Sequence, residues 1–425
     1  MNIMVIGGGG REHAIVKKLL ENKAVTKIYA LPGNGGIACD AQCVPIKATE
    51  IDKIVDFAVD NLIDYAVVAP DDPLVLGCVD RLKEKGIPAF GPSAAAAIIE
   101  GSKVFSKNLM KKYNIPTAGY EIFDNAQKAM EYIKAENTYP VVIKADGLAL
   151  GKGVIIAESE KEAIDAVNSI MEDKIFGASG NHIVIEEFLQ GPEVSVLCFT
   201  DGKTLKPMVS SMDHKRANDG DKGLNTGGMG AVAPNTYYSK AIQDECMKTI
   251  FMPTIAAMNA ENRSFKGCLY FGLMLTKKGA KVIEYNCRFG DPETQVVLPL
   301  LESDLLTVMQ SCTDGTLDKT EVKFADGAAA CVVMASGGYP QKYEIGKEIK
   351  GLTNGNIDGA TVYHAGTKLE NGKLYTAGGR VMGVTATAEN LQTALDNAYT
   401  AVKKIDFENV HYRNDIGKRA LEALK

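Results

Sequence analysis

Several things are missing from this 425-residue chain, and each absence removes a class of protein. Its nine cysteines are scattered singly, and the closest pair, Cys39 and Cys43, lacks the spacing of a metal finger. An odd, dispersed set reads as reduced thiols, so a cytoplasmic protein without a disulfide framework is expected. No apolar run is long enough to span a bilayer, and the amino terminus enters a strand at once; neither a membrane partner nor a cleavable leader is expected. Internal repeats and low-complexity tracts are absent as well. A net charge of −6 and a pI near 5.6 argue against a general nucleic-acid binder, although a local basic pocket stays open. What remains is an ordinary soluble composition, 46% hydrophobic and 24% charged, with length for about two to four domains.

The chemistry is densest in Val282-Ile283-Glu284-Tyr285-Asn286-Cys287-Arg288-Phe289-Gly290-Asp291-Pro292-Glu293. Its first half alternates like a strand, which puts Val282, Glu284 and Asn286 on one face. A carboxylate and an amide oxygen side by side are hard ligands of the kind Mg²⁺ prefers. A guanidinium, a Gly-Asp-Pro turn and two more carboxylates follow, a combination suited to polyphosphate chemistry. Glu284 and Asn286 alone would suit a half-exposed strand better; the run behind them favours the functional reading.

The first hundred residues alternate strand and helix. A short strand at 2–6 precedes Gly7-Gly8-Gly9-Gly10-Arg11-Glu12-His13-Ala14 and a helical pattern to Leu20. Strand, glycine loop and helix start make a phosphate cradle, because backbone N–H groups converge there. A tight turn for helix–strand packing is the alternative. A dinucleotide site is disfavoured: the third fingerprint glycine falls at Glu12, and the second strand (27–31) ends in Leu31-Pro32-Gly33-Asn34 without an acid for the ribose. A helix at 51–60, a buried strand at 65–69, a helix at 74–85 and a strand at 88–90 continue the alternation. A parallel sheet follows, with its ligand crevice at the strands' carboxyl ends. Gly7 to Gly10, Gly33-Asn34-Gly35-Gly36 and Asp71-Asp72-Pro73 are therefore expected to line one pocket.

Gly91-Pro92-Ser93 marks a boundary, followed by a helix at 103–113 and a break at Asn114-Ile115-Pro116-Thr117. Asp124 or Asn125 caps a helix to Lys134. An apolar strand at 139–144 ends in Lys144. The loop 145–153 leads to a strand at 154–157, and its glycines with Lys144 and Lys152 suit a lid over a triphosphate; a flexible hairpin is the alternative. A helix at 159–171 precedes His182 to Glu193, a strand that leaves its sheet through a bend before another at 194–199. An exposed edge here can bond an adenine, and a following carboxylate the ribose hydroxyls. Residues 212–230 are polar, lack hydrophobic periodicity and read as a binding loop, with disorder as the competing reading. A helix at 239–262 and a strand at 268–276 lead into the 282–293 run. From Asp326 onward a mixed antiparallel sheet with a helix at 391–405 is expected.

With these pieces in place the chain resembles the ATP-grasp ligases, and among them the phosphoribosylamine–glycine ligase (glycinamide ribonucleotide synthetase) family. The resemblance runs essentially end to end. It is carried by the Gly7–Ala14 run, Pro32-Gly33-Asn34-Gly35-Gly36, Asp213-His214-Lys215-Arg216, Asn225-Thr226-Gly227-Gly228-Met229-Gly230 and Arg288-Phe289-Gly290-Asp291-Pro292-Glu293-Thr294-Gln295. His364-Ala365-Gly366-Thr367, Gly378-Gly379-Arg380-Val381 and Tyr412-Arg413-Asn414-Asp415-Ile416-Gly417 also fit. The departures are Asp71-Asp72 in a Gly-Pro-Glu-Ala-Pro-Leu motif, Pro192 for the first glutamate of Gly-Glu-Glu, and Leu224 for a proline.

The resemblance implies an α/β protein of three units: an amino-terminal parallel-sheet domain (1–101), an ATP-grasp domain (102–325) with a mobile flap (about 117–190), and a carboxyl-terminal α+β domain (326–425). It implies ligation of glycine to 5-phosphoribosylamine, giving glycinamide ribonucleotide, ADP and phosphate through a glycyl phosphate. Lys103, Lys144, Gly151, Glu186, Glu187, Leu189 and Glu193 would bind ATP, and Glu284 with Asn286 would hold Mg²⁺ or Mn²⁺. Arg288 and Asp213 would be catalytic. Gly9, Gly10, Asn34, Gly35, Asn225, Thr226, Gly228 and Met229 would bind the substrates. A monomer or weak dimer is expected. The rivals are another ATP-grasp enzyme such as a biotin-carboxylase-like carboxylase, a dinucleotide oxidoreductase, and a non-catalytic nucleotide sensor.

Overall fold

The computed structural model describes residues 1–148 and 153–424. Five parallel strands open the chain: β1 (Asn2–Gly7), β2 (Lys27–Pro32), β3 (Gln42–Cys43), β4 (Tyr65–Val68) and β5 (Ala89–Phe90), ordered β3-β2-β1-β4-β5. They alternate with α1 (Gly10–Leu19), α2 (Ile37–Asp40), α3 (Ile51–Asp60), α4 (Asp71–Val75) and α5 (Cys78–Glu84). β1 is apolar throughout its core because both faces are covered: Met4 and Ile6 pack into one cluster, Ile3 and Val5 into another. The single helix expected at 74–85 is instead two. Gly77 takes a left-handed φ of 82°, which ends one helical turn and resets the next.

α6 (Ala94–Gly101) and α7 (Lys103–Lys112) lead out of this sheet, and the Ser102 side chain caps α7 by accepting from Phe105 N–H. An antiparallel sheet follows, built from β6 (Tyr120–Phe123), β7 (Val141–Ala145), β8 (Val154–Ala157) and β9 (Ile183–Glu187) in the order β6-β9-β7-β8. Its two helices, α8 (Ala126–Glu136, capped by Asn125) and α9 (Glu160–Val167), close a separate small core. Within the anticipated lid at 146–153, residues 149–152 lie outside the described residues.

Beyond β9 the chain changes sheet, as the bend predicts. β10 (Glu193–Thr200) and β11 (Leu205–Pro207) start the new one. The 212–230 stretch, anticipated as a loop, is largely built into strands: β12 (Met212–Asp213), a hairpin of β13 (Arg216–Asn218) with β14 (Lys222–Asn225), and the start of β15 (Gly230–Ala233). The sequence hides the hairpin because β14 is exposed along its whole length, so no buried face imposes alternation. β16 (Gly267–Thr276) and β17 (Gly279–Asn286) complete the sheet β11-β10-β16-β17.

β17 corrects the expected register of the central stretch. The pairing with β16 slips between Gly272 and Leu273: Gly272 opposes Glu284 and Leu273 opposes Val282, so Ile283 is the extra residue of a bulge. The bulge shifts the phase of alternation. Val282 joins Tyr285 and Cys287 in the core, while Glu284 and Asn286 remain half-buried away from it. Val282 therefore does not share their face.

The last sheet, β12-β15-β18-β22-β19, joins β18 (Ala328–Ala335), β19 (Thr361–His364) and β22 (Arg380–Ala388) to two strands from the 212–233 segment. A hairpin of β20 (Thr367–Glu370) and β21 (Lys373–Thr376) stands beside it, and the helix Leu391–Val402 covers one face. All nine cysteines are free thiols. Among the described residues no helix is long and apolar enough to cross a membrane.

Candidate active site

Two buried lysines bracket one carboxylate where α7, β7 and β9 meet. Lys144 Nζ lies 3.0 Å from Glu186 Oε1, and Lys107 Nζ lies 2.9 Å from Glu186 Oε2. All three residues are at most 4% exposed. Lys103, at the start of α7, donates to the Gly147 carbonyl at 2.6 Å. The adjacent Asp146 carboxylate accepts from Ser102 Oγ (3.1 Å) and Val104 N–H (3.2 Å), a favourable position for a negative charge at a helix amino end. Burial lowers the pKa of Lys103, and takes that of Lys107 down to about 8 despite the Glu186 charge. Glu187 points outward and accepts from Gly119 N–H (2.9 Å) and Lys281 (2.7 Å). Leu189 is half-buried in the β9–β10 connection, and Gly151 lies outside the described residues.

A second cluster has the opposite stoichiometry. Lys215 Nζ sits between Glu193 Oε2 (3.4 Å) and Glu284 Oε1 (3.7 Å), with all three side chains more than a third exposed. Burial opposes ionisation of Glu284, but Lys215, Lys144, Lys103 and Arg288 together outweigh it and hold the carboxyl below its ordinary value. An ionised carboxylate and an amide oxygen on one side of β17 fit a hard divalent cation. Among the described residues no three His, Cys, Asp or Glu side chains are arranged to hold a metal ion. Mg²⁺ bound on a nucleotide does not need such a cage, since it takes one or two carboxylates and completes its shell with phosphates and water.

Just past β17, Arg288 is anchored by Glu100 at the end of α6 (Nη2–Oε1 2.9 Å), with Asp71 Oδ2 at 4.0 Å. The second Glu100 oxygen accepts from Cys287 N–H at 2.7 Å. Burial pushes the Glu100 carboxyl up against the pull of Arg288, whereas at Arg288 burial is outweighed by Glu100 and Asp71. The guanidinium stays charged in either case, and the 2.9 Å contact with Glu100 orients it. Glu293 is buried and accepts from Tyr270 OH (3.0 Å) and Ser195 Oγ (3.3 Å). Asp213 accepts from its neighbour His214 N–H at 2.7 Å; burial and the Glu293 charge raise its carboxyl well above the usual range.

A cavity of about 490 Å³ opens on the other side of the 288–293 turn. Gly8, Gly9, Gly33 and Asn34 line one wall, Gly366, Thr367 and Tyr339 another, with Asp291 and Arg380 between them. Two of the three loops assigned to one pocket thus meet, while Asp71 turns to Arg288 instead. Glu12 explains the missing glycine of the first loop: its carboxylate accepts the Gly9 N–H at 2.6 Å, and a Cβ on Gly7 would lie 2.5 Å from its side chain. Gly10 packs against Gln295. Asn34 Nδ2 donates to the Gly8 and His364 carbonyls (2.9 and 2.7 Å), and Gly35 N–H donates to Thr367 O at 2.9 Å, so both residues shape the wall. Asn225 is exposed at the end of β14, and the Thr226 hydroxyl accepts from Gly228 N–H at 2.9 Å. Met229 is fully buried, donating to His214 O and accepting from Val333 N–H.

Residues 1–100 match the N domain of phosphoribosylglycinamide synthetase, residues 101–294 its ATP-grasp (A) domain and residues 329–419 its C domain. The chain belongs to the phosphoribosylglycinamide synthetase family. The phosphoribosylamine–glycine ligase of Clostridium acetobutylicum is 47% identical over 418 residues, covering 98% of this chain and 100% of that protein. The enzyme of the same name from Caldanaerobacter subterraneus subsp. tengcongensis is 47% identical over 416 residues, 98% and 99% of the two chains. A crystal structure of phosphoribosylamine–glycine ligase from Thermotoga maritima matches with a TM-score of 0.86 at 33% identity, covering 98% of this chain and 100% of that one. The biotin carboxylase domain of Hydrogenobacter thermophilus 2-oxoglutarate carboxylase, solved with MgADP, ADP and bicarbonate, shares the fold alone (TM-score 0.74, 16% identity, 97% and 91% coverage). The α/β, ATP-grasp architecture read from the sequence is thus borne out, and the ATP-grasp family implies use of ATP.

Three residues of this site carried no signal in the sequence. Glu100 closes a helix without any motif around it. Lys107 looks like any lysine of an amphipathic helix. Arg380 stands in a motif that fits the family, yet gave no hint that it donates to Gly227 O (2.6 Å) and Asp291 O (2.8 Å) across the cavity.

Proposed function

We propose that the protein joins glycine to 5-phosphoribosylamine with ATP, forming glycinamide ribonucleotide, ADP and phosphate in purine synthesis. The observation that carries this reading is the turn at 288–293, which has the Lys103, Lys144 and Glu284 cluster on one side and a glycine-walled cavity on the other. A carboxylate is a poor electrophile, so an oxygen of glycine first attacks the γ-phosphorus to give glycyl phosphate and ADP. The amine of phosphoribosylamine then attacks the carbonyl carbon, phosphate leaves, and the nitrogen gives up a proton.

Lys103 and Lys144 hold the phosphates, with Glu187, Leu189 and Glu193 along the adenosine. Glu186 stands behind Lys144. Mg²⁺ or Mn²⁺ on Glu284 and Asn286 would neutralise triphosphate charge when bound. Arg288, oriented by Glu100, faces charge that develops during transfer. Asp213 and the loop bearing Asn225, Thr226, Gly228 and Met229 hold glycine and the amine. Gly9, Gly10, Asn34 and Gly35 shape the wall for the ribose phosphate. In this reading the units are residues 1–101, 102–325 with a flap at about 117–190, and 326–425, in a cytoplasmic monomer or weak dimer.

The test is ADP release by the purified chain. It is expected only when ATP, Mg²⁺, glycine and freshly made phosphoribosylamine are all present. Equal release without glycine, or with bicarbonate in its place, overturns the assignment.

A further inference from the structure

Lys107 has no part in the chemistry above, yet it is a lysine only 2% exposed. Lysines are kept in such places only when paired, because losing hydration is costly. Besides Glu186, its ammonium donates to Thr117 Oγ1 at 2.8 Å, and that hydroxyl donates to the Val282 carbonyl at 2.7 Å. Lys144, on the other oxygen of Glu186, donates to the Ile283 carbonyl at 3.1 Å. Both cations are thus tied, one directly and one through Thr117, to consecutive carbonyls at the β17 bulge, one step before Glu284. The cluster carries two ammoniums and one carboxylate, so it keeps a positive charge for an approaching anion.

We propose that Lys107 is a positioning residue for the nucleotide phosphates: through Glu186 it fixes the direction of the Lys144 ammonium and couples it to the strand bearing Glu284 and Asn286. Glu186 then acts on the nucleotide through Lys144 and does not touch it. Without Lys107, Glu186 and Lys144 form a closed one-to-one pair, which cancels the surplus charge and draws the ammonium away from the ligand. The inference rests on the ATP reading above.

The surroundings make the role separable from folding. Facing Lys107 are Glu186 and Glu187 on β9, Lys144 on β7, and Tyr120 on β6, whose ring centre is 5.4 Å from the ammonium. Lys111 on α7 lies over the same ring, and Lys281 of β17 pairs with Glu187. Burial brings Lys107 down to about 8, so its charge is lost as the pH rises through that value. An arginine at 107 stays charged throughout.

Titration calorimetry of MgATP into the full chain from pH 7 to 9, beside steady-state kinetics, tests this. Lys107→Met is expected to raise Kd and KM for ATP about tenfold and to change kcat at saturating ATP less than about threefold. Wild type is expected to lose ATP affinity severalfold between pH 7 and 9, and Lys107→Arg to show no such fall. ATP binding to Lys107→Met as tight as to wild type, or a fall in kcat with KM unchanged, overturns the proposal. So does a Lys107→Arg curve that follows wild type, a comparison that still decides if Lys107→Met fails to fold. A wild-type chain that binds no ATP overturns the functional reading as well; one that binds ATP without the pH step overturns this proposal alone.

Discussion

The two charge clusters that meet at β17 are mirror images in stoichiometry and opposites in environment. Around Glu186, two ammoniums share one carboxylate at 2.9 and 3.0 Å, with side chains at most 5% exposed. Around Lys215, two carboxylates share one ammonium at 3.4 and 3.7 Å, with side chains 37–52% exposed. The first has surplus positive charge and suits phosphates; the second has surplus negative charge and suits a divalent cation. Burial makes the difference. Charges removed from water cannot relax when a partner is lost, so the tight cluster fixes geometry. Charges in water exchange partners at little cost, so the loose cluster can give up its ammonium to a metal.

The hardest blow to this contrast falls on Glu186. Glu186→Gln leaves two buried ammoniums without a counter-charge, and urea unfolding of the nucleotide-free chain should show a loss of about 3 kcal/mol. A loss under about 1 kcal/mol, as for an exposed pair, would erase the distinction between the clusters.

Next in size is Arg288, which belongs to neither cluster but acts on Glu284 of the open one. Arg288→Lys keeps the charge and loses the planar fork held by Glu100. ATP affinity should stay nearly intact while kcat falls on the order of 10²-fold, comparable to losing one transition-state donor. Normal turnover, or inactivity that follows unfolding, removes Arg288 from phosphoryl transfer.

The smallest effects belong to the open cluster. Glu284→Gln should alter metal-free stability by no more than about 0.5 kcal/mol, yet raise the Mg²⁺ concentration needed for half-maximal turnover. An unchanged metal dependence would place the metal elsewhere. Lys215→Met, which unmasks both carboxylates, should tighten Mn²⁺ binding severalfold without nucleotide, read by electron paramagnetic resonance. Unaltered binding would show that Lys215 does not compete with the cation.

By itself the sequence determined the order of elements wherever a buried face imposes a period, because periodicity is a local property; the exposed hairpin at 216–225 has none. The continuous apolar run of β1 announces a strand covered on both faces, and the glycine loops after β1 and β2 announce the edge where the cavity opens. Glu284 and Asn286 were legible as a pair, since residues two apart on a strand share a face. Tertiary structure alone decided the rest. The bulge at Ile283 depends on how β16 lines up with β17, and it moved Val282 into the core. The membership of β12 and β15 in the last sheet depends on β18, about a hundred residues away along the chain. Lys107, Glu100 and Arg380 acquire meaning only from Glu186, Arg288 and Asp291, partners distant in sequence. A charged residue carries no local sign of burial, because what makes its burial tolerable is the opposite charge that folding brings to it.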